Sequence, residues 1–352
     1  MVFRNSPVRS LTGLLVCLCA IFARVEFTQG CCICCWQDEQ PAVTSNDDSA
    51  ANTTNQIKLV VVVGAGGDQE FAQQFDEWAT NWQNVADTEN NQFADRISLV
   101  TIGQHEGSDN DREQLQSEIV AESDWQQLWI VLIGHGTHDG QNAKFNLRGP
   151  DVSADELKQW LAENRTPTVL INCSASSAPF INQLSGRDRV IVTATTSGYE
   201  QNFARFGAFM SKAIIDPSND LDKDGQTSLL EAAITATREV DEFYQSEQRL
   251  ATEHAMIDDN GDGLGTPLSW FRGTRSTRKP KQGQVDGLRA NQFSLAPAPA
   301  FANWSNERLT NRNELEIQLE DLRNRKPQMT EEDYYRDLEV IAKKLAELYQ
   351  EQ

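Results

Sequence analysis

Two short stretches place reactive side chains beside small residues at the ends of apolar runs. "VLIGHGTHDG" (131–140) sets His135 between Gly134 and Gly136, and "VLINCSASS" (169–177) ends its apolar run in Cys173. An imidazole takes up a proton near neutral pH. A thiol attacks as its thiolate, which a nearby histidine or helix N-terminus favours. The pair therefore reads as the dyad of an acyl-transfer site, with Cys173 as nucleophile and His135 as base. The backbone N–H groups of Gly136 and Cys173 would face the oxyanion. In the same loop, His138 is expected at the rim, and Asp139 is the group that could orient the imidazole. A strand-end cysteine taken alone is more often a small buried hydrophobe. The adjacency of the two strand ends is what favours chemistry.

A second constellation is acidic. "DLDKDGQTSLLE" (220–231) fits a calcium-loop pattern, with Asp220, Asp222, Asp224, Ser228 and Glu231 as side-chain ligands. Gln226 would contribute its carbonyl, Gly225 allows the bend, and Glu231 would close the shell from the first turn of a helix. Thr227 stands where an aliphatic residue is usual. "DDNGDGLG" (258–265) repeats half of the pattern with Asp258, Asn260 and Asp262, but its twelfth position is Ser269. It reads either as a weaker ion site or as a turn held by Asx hydrogen bonds. Calcium, in a structural role, is the expected cofactor. His254, just before this run, is read as structural or at the rim.

These residues need a frame. Apolar runs at 57–67, 96–103, 128–136, 167–173 and 188–195 alternate with amphipathic segments. Phe71, Phe75, Trp78 and Trp82 make one helical stripe, and Ser153 with Glu156 makes a capping box. Continuous apolar strands between such helices predict an α/β three-layer sandwich with a mostly parallel sheet, spanning residues 57–275. Ligands of such sheets bind outside the carboxyl ends of the strands, where His135 and Cys173 fall. The "GAGG" turn (64–67) lacks the spacing of a nucleotide-binding loop and is expected on the same rim. A nucleotide-binding α/β protein would need a phosphate loop that the sequence does not offer.

Residues 276–308, mixed and rich in Pro, Ala and Arg, read as a linker. Residues 309–352 read as a helical hairpin broken at Pro327, with stripes Leu315–Leu319–Leu322 and Leu338–Ile341–Leu345–Leu348. The hairpin either docks on the domain, the simpler reading, or mediates self-association.

Of the seven cysteines, six lie in the first 35 residues and Cys173 is alone in the body, which excludes a disulfide scaffold there. Arg4 and Arg9 precede the apolar run 11–23, as in a signal or lipoprotein-type export segment (1–30). Gly30–Cys31 fits a lipoprotein cleavage step, with Thr28 where such sites usually carry Leu. A polar tether (31–56) follows. The expected location is periplasmic, cell-surface or secreted, with membrane contact only through a lipid anchor. A net charge of −21 argues against nucleic acid as a partner.

The two motifs together resemble those of the legumain-like cysteine peptidases of the caspase–hemoglobinase fold, in exported bacterial form. In that group a His-Gly ends one strand and a Cys ends the next. "VIVTATTSGYEQNFARFGAFM" extends the resemblance, which spans residues 57–215. It implies peptide-bond cleavage through a thioester on Cys173 with His135 as base, on a peptide or protein substrate. Ile171 stands where that family usually has an acid, and "SASS" replaces its Ser-Gly-Ser series. The alternative reading is a catalytically inactive caspase-like scaffold that binds calcium and partners.

Overall fold

The computed structural model describes residues 56–93, 96–104, 110–121, 124–301 and 304–350. The expected export segment, its cysteines and all of the tether except Gln56 lie outside them. Among the described residues no helix is long and apolar enough to cross a membrane.

The strand–helix alternation folds as the pattern predicts. In chain order come β1 (Ile57–Val63), α1 (Gln69–Gln92), β2 (Ile97–Ile102), α2 (Asp111–Val120) and β3 (Gln127–Ile133). A small antiparallel sheet follows, made of β4 (Gly136–His138), β5 (Ala143–Phe145) and β6 (Val152–Ser153). Next are α3 (Ala154–Glu163), β7 (Thr168–Asn172), α4 (Pro179–Leu184), β8 (Arg189–Thr193), α5 (Phe206–Ala213) and α6 (Leu229–Ser246). β9 (Met256–Asp258) and β10 (Thr266–Pro267) complete the main sheet, and α7 (Asn306–Arg325) and α8 (Glu331–Gln350) form the C-terminal hairpin.

The main sheet runs β2-β1-β3-β7-β8-β9-β10. Its first five strands are parallel, β9 runs antiparallel to β8, and β10 runs antiparallel to β9. Strand period sorts the side chains between two cores. Leu59, Val61, Trp129 and Val131 meet α1, α5 and α6 on one face. Val60, Val62, Ile130 and Leu132 meet α2, α3 and α4 on the other. Fully burying one such side chain contributes about 1.5–3 kcal/mol, so the two covered faces supply the main drive for folding. The α3 capping box forms as expected: Ser153 Oγ accepts from Glu156 N at 3.2 Å, and Glu156 Oε2 accepts from Ser153 N at 2.9 Å.

The hairpin stripes face one another in a seam of Leu315, Leu322, Tyr334 and Ile341, with Thr330 capping α8 through Asp333 N at 3.1 Å. It docks on the segment before it: Gln292 Nε2 donates to Asn313 O at 3.0 Å, and the Phe301 and Tyr349 rings lie 6.0 Å apart.

The reading of residues 276–308 as a linker is corrected. Leu229 N donates to Phe293 O at 2.8 Å, Ser294 Oγ donates to Thr227 O at 3.1 Å, and Ala290, Leu295 and Ala298 are buried. The segment packs through backbone and side-chain hydrogen bonds rather than a periodic apolar face, so its pattern has no helix or strand signature.

Candidate functional site

β3 and β7 are adjacent and in register, Leu132 opposite Asn172, so His135 and Cys173 do stand at neighbouring strand ends. Their environments differ from those expected of a dyad. Alternation turns Cys173 onto the α1–α5–α6 face, where it is 1 % exposed. It is walled so closely that a Cβ added to Gly207 would lie 2.9 Å from Cys173 Cβ and 2.7 Å from Trp78 Cε3. Burial pushes the thiol far above its ordinary range, and the negative charge of Glu253 pushes the same way. The expectation of a thiol poised to ionise is corrected, because a thiolate here would lose its hydration with no cation in return.

The Cys173 amide is not free for an oxyanion either, since it donates to Leu132 O at 2.9 Å and continues the sheet ladder. Helix amides are likewise engaged. Ala178 N, before α4, donates to Thr195 Oγ1 at 3.0 Å. Arg205 N and Phe206 N, at the start of α5, donate to Glu253 at 2.8 and 3.0 Å.

His135 sits in an aromatic cage. The ring centroids of Phe71, Phe75 and Phe203 lie 4.9, 5.1 and 5.9 Å from it. Its Nε2 is 3.2 Å from Gly66 O, so the "GAGG" turn does reach the rim and touches the imidazole. Asp139 does not orient His135. Its carboxylate accepts from Gln141 N and Asn142 N at 2.9 and 2.8 Å, bonds that hold it below the usual range while they close its own turn. His138 lies edge-on to Tyr199 at 5.5 Å, and its Nδ1 is buried without a partner. Tyr199 is 75 % exposed, so the two rings mark the rim. His254 Nδ1 pairs with Glu200 Oε1 at 2.7 Å.

Ser174 was not among the expected site residues. It is fully buried, and its Oγ donates to Asn172 Oδ1 at 2.6 Å. A Cβ on Gly136 would lie 2.5 Å from that oxygen and closer still to Ala175 O, so only glycine fits there. The residue after His135 thus touches Ser174, one position beyond the cysteine. Two residues on, Ser176 holds φ +56°, a left-handed conformation costing about 1–2 kcal/mol for a residue with a Cβ.

The first acidic loop converges in part. Single carboxylate oxygens of Asp220, Asp222 and Asp224 lie within 4.8 Å of one another. Asp220 also accepts from Asp224 N at 3.2 Å and Gly225 N at 3.1 Å, while Lys223 Nζ donates to its carbonyl. Burial first, with Asp222 and Glu231 nearby, raises Asp224 to about 6. These three fit a hard, oxygen-seeking cation.

Glu231 and Ser228 depart from the expected ligand set. Glu231 Oε1 accepts from Leu221 N and Asp222 N at 2.6 and 3.0 Å, and Oε2 from Ser228 N at 2.8 Å. Glu231 and Ser228 form the capping box of α6. Gln226 is held by its side chain, with Nε2 donating to Asp224 Oδ2 at 3.0 Å.

The second loop resolves into turns. Asp258 Oδ1 accepts from Gly263 N at 3.2 Å, Asn260 Oδ1 from Asp262 N at 2.8 Å, and Asp262 Oδ1 from Leu264 N at 2.9 Å. Beside it lies a buried carboxyl group that sequence reasoning missed. Asp286 accepts from Asp259 N at 3.0 Å and from the Thr266 hydroxyl at 2.7 Å. Burial, then the charge of Asp259, raises Asp286 to about 7.

No family model matches the chain, and no curated protein matches it. Among solved structures it is similar to the Drosophila initiator caspase Dronc, 15% identical with TM-score 0.37, over 63% of this chain and 88% of that one. It is also similar to caspase-1 from Spodoptera frugiperda, 10% identical with TM-score 0.39, over 59% and 88%. At this level of likeness the site must be read from its own geometry.

Proposed function

We propose that the chain is a caspase-like α/β module that binds peptide or protein partners at the rim around His138 and Tyr199 and does not cleave them through Cys173. One observation carries this reading: the Cys173 side chain is 1 % exposed and its thiol is pushed up by burial. A nucleophile must meet its substrate and ionise at working pH, and Cys173 is placed for neither. The two strand-end motifs that resemble the legumain-like peptidases then mark descent of the scaffold rather than retained thiol chemistry. In this reading Asp220, Asp222 and Asp224 hold a calcium ion with water completing the shell, bracing the start of α6. The N-terminal segment exports the module.

The test is cleavage of a peptide library by wild type and Cys173→Ala, with and without calcium. The binding module predicts no cleavage that depends on the thiol. Turnover by wild type that Cys173→Ala abolishes would overturn it.

A further inference from the structure

At the other end of the sheet, where β3 and β7 begin, a cleft of about 510 Å3 opens between the sheet and α7. Its lining is the reverse of the chain's average. The molecule carries 52 acidic residues against 31 basic ones, yet Arg96, Arg165 and Arg312 line the cleft and, among the described residues, no aspartate or glutamate does. Trp125, Phe293 and Phe301 supply flat apolar walls.

The three arginines are not equivalent. Arg312 is engaged: its Nε and Nη2 lie 3.0 and 2.7 Å from Asn313 Oδ1, and its guanidinium sits 4.9 Å over the Phe301 ring. Arg96 and Arg165 donate no side-chain hydrogen bond and close no ion pair among the described residues. Arg96 is 3 % exposed, with its Nε sealed off and unpartnered. Glu89, the acid nearest in effect, is itself pushed toward its neutral form by burial. The Arg96 guanidinium has only the attraction of Glu89 and of the Phe93 ring, 5.9 Å away, and a buried cation so weakly met is costly.

We infer that this cleft binds a small carboxylate-bearing ligand with a flat or apolar body, Arg96 and Arg165 supplying the unclaimed donors and Trp125, Phe293 and Phe301 the walls. A guanidinium fork matches a carboxylate in two parallel hydrogen bonds. The volume falls within the range of small-molecule pockets. The carboxylate comes either from a free organic acid or from the C-terminus of a peptide, which present the same group. The site is separate from the strand ends that carry His135 and Ser174, and it stands or falls without them.

Calorimetric titration of the full chain tests it with three probes: N-acetyltryptophan, its amide, and an acetylated tetrapeptide ending in tryptophan with a free carboxylate. The acid binds, and the amide binds about tenfold more weakly or not at all, as loss of a charge-assisted pair requires. Arg165→Gln, at an exposed position, weakens the acid by about fivefold or more without moving the thermal midpoint. Arg96→Gln weakens it further, and if that variant does not fold, Arg165→Gln carries the test. A tetrapeptide tighter than the acid assigns the cleft to peptide C-termini, and equal affinities assign it to free acids. Acid and amide titrating alike, no effect of Arg165→Gln, or no heat from either carboxylate at millimolar concentration would each overturn the inference.

Discussion

The two ends of one parallel sheet hold opposite kinds of chemistry. At the carboxyl end, where open α/β sheets usually bind their ligands, Cys173 is neutral and walled in, Ser174 is pinned to Asn172, and His135 is caged by three phenylalanines. At the amino end lie an arginine-lined cleft and, around it, the acidic loop 220–231 and the buried Asp259–Asp286 pair. Gln226 belongs to both groups there, lining the cleft while its side chain holds Asp224. Reactive residue types at a favourable topological position do not make a site unless they are also hydrated, ionisable and unclaimed by the backbone. Here the group that meets those conditions, exposed Arg165, lies at the unexpected end.

The largest expected effect probes the packing of the carboxyl end. Gly136→Ala drives a methyl into Ser174 and the Ala175 carbonyl. It should destabilise by about 3 kcal/mol, toward the upper range for overpacking. Gly140→Ala, where a Cβ meets nothing but the backbone holds φ +95°, should cost about 1 kcal/mol in strain alone. Chemical denaturation ranks the two, and equal effects would mean that the carboxyl end is loosely packed.

Next in size is a pH dependence set at the amino end. The folded pKa of Asp286, about 7, lies above the roughly 3.9 of an unfolded aspartate. The folded state therefore holds this proton more tightly. Its stabilising contribution is full below about pH 4 and is lost as pH rises through 7, a change on the order of 2–4 kcal/mol. Buried Asp258 and Asp259 are raised too and act with the same sign. The thermal midpoint should be higher at pH 5 than at pH 8, and Asp286→Asn should flatten the slope. A midpoint that rises from pH 5 to pH 8 would refute this.

A smaller effect separates ligand from cap in the acidic loop. Calcium at about 100 times its dissociation constant should stabilise by about 2.7 kcal/mol, and Asp222→Asn should remove most of that increment. Glu231→Gln keeps an oxygen for the Ser228 amide but not for the Leu221 and Asp222 amides, and should lower stability by about 1 kcal/mol while keeping the calcium increment. Loss of the increment in Glu231→Gln would restore the carboxylate as a ligand.

Much of the frame was legible in the sequence, because strand and helix periods are local. β1, β3, β7 and β8, the Ser153 cap and the hairpin break at Pro327 follow from patterns of a few residues. β4 to β6, β9 and β10 are two or three residues long and carry no period to read. The site was legible only as residue types. That Cys173 faces inward follows from strand alternation once β7 is placed, but the wall made by Trp78 and Gly207 comes from helices far away in sequence. Glu231 shows the same limit, since a closing ligand and an N3 cap share one sequence signature and differ only in where the carboxylate points. The cleft was invisible because its arginines come from three separate segments, and only the fold brings them together.

The central claim is that Cys173 is a sealed, neutral core residue. Iodoacetamide labelling of the full chain at neutral pH, read by mass on the tryptic peptide spanning Thr166 to Arg187, tests it directly. The account predicts that Cys173 stays unmodified in the folded protein, is alkylated at once in denaturant, and behaves the same in His135→Ala. Rapid labelling of the folded protein that His135→Ala slows would contradict it and reinstate the thiol as a nucleophile.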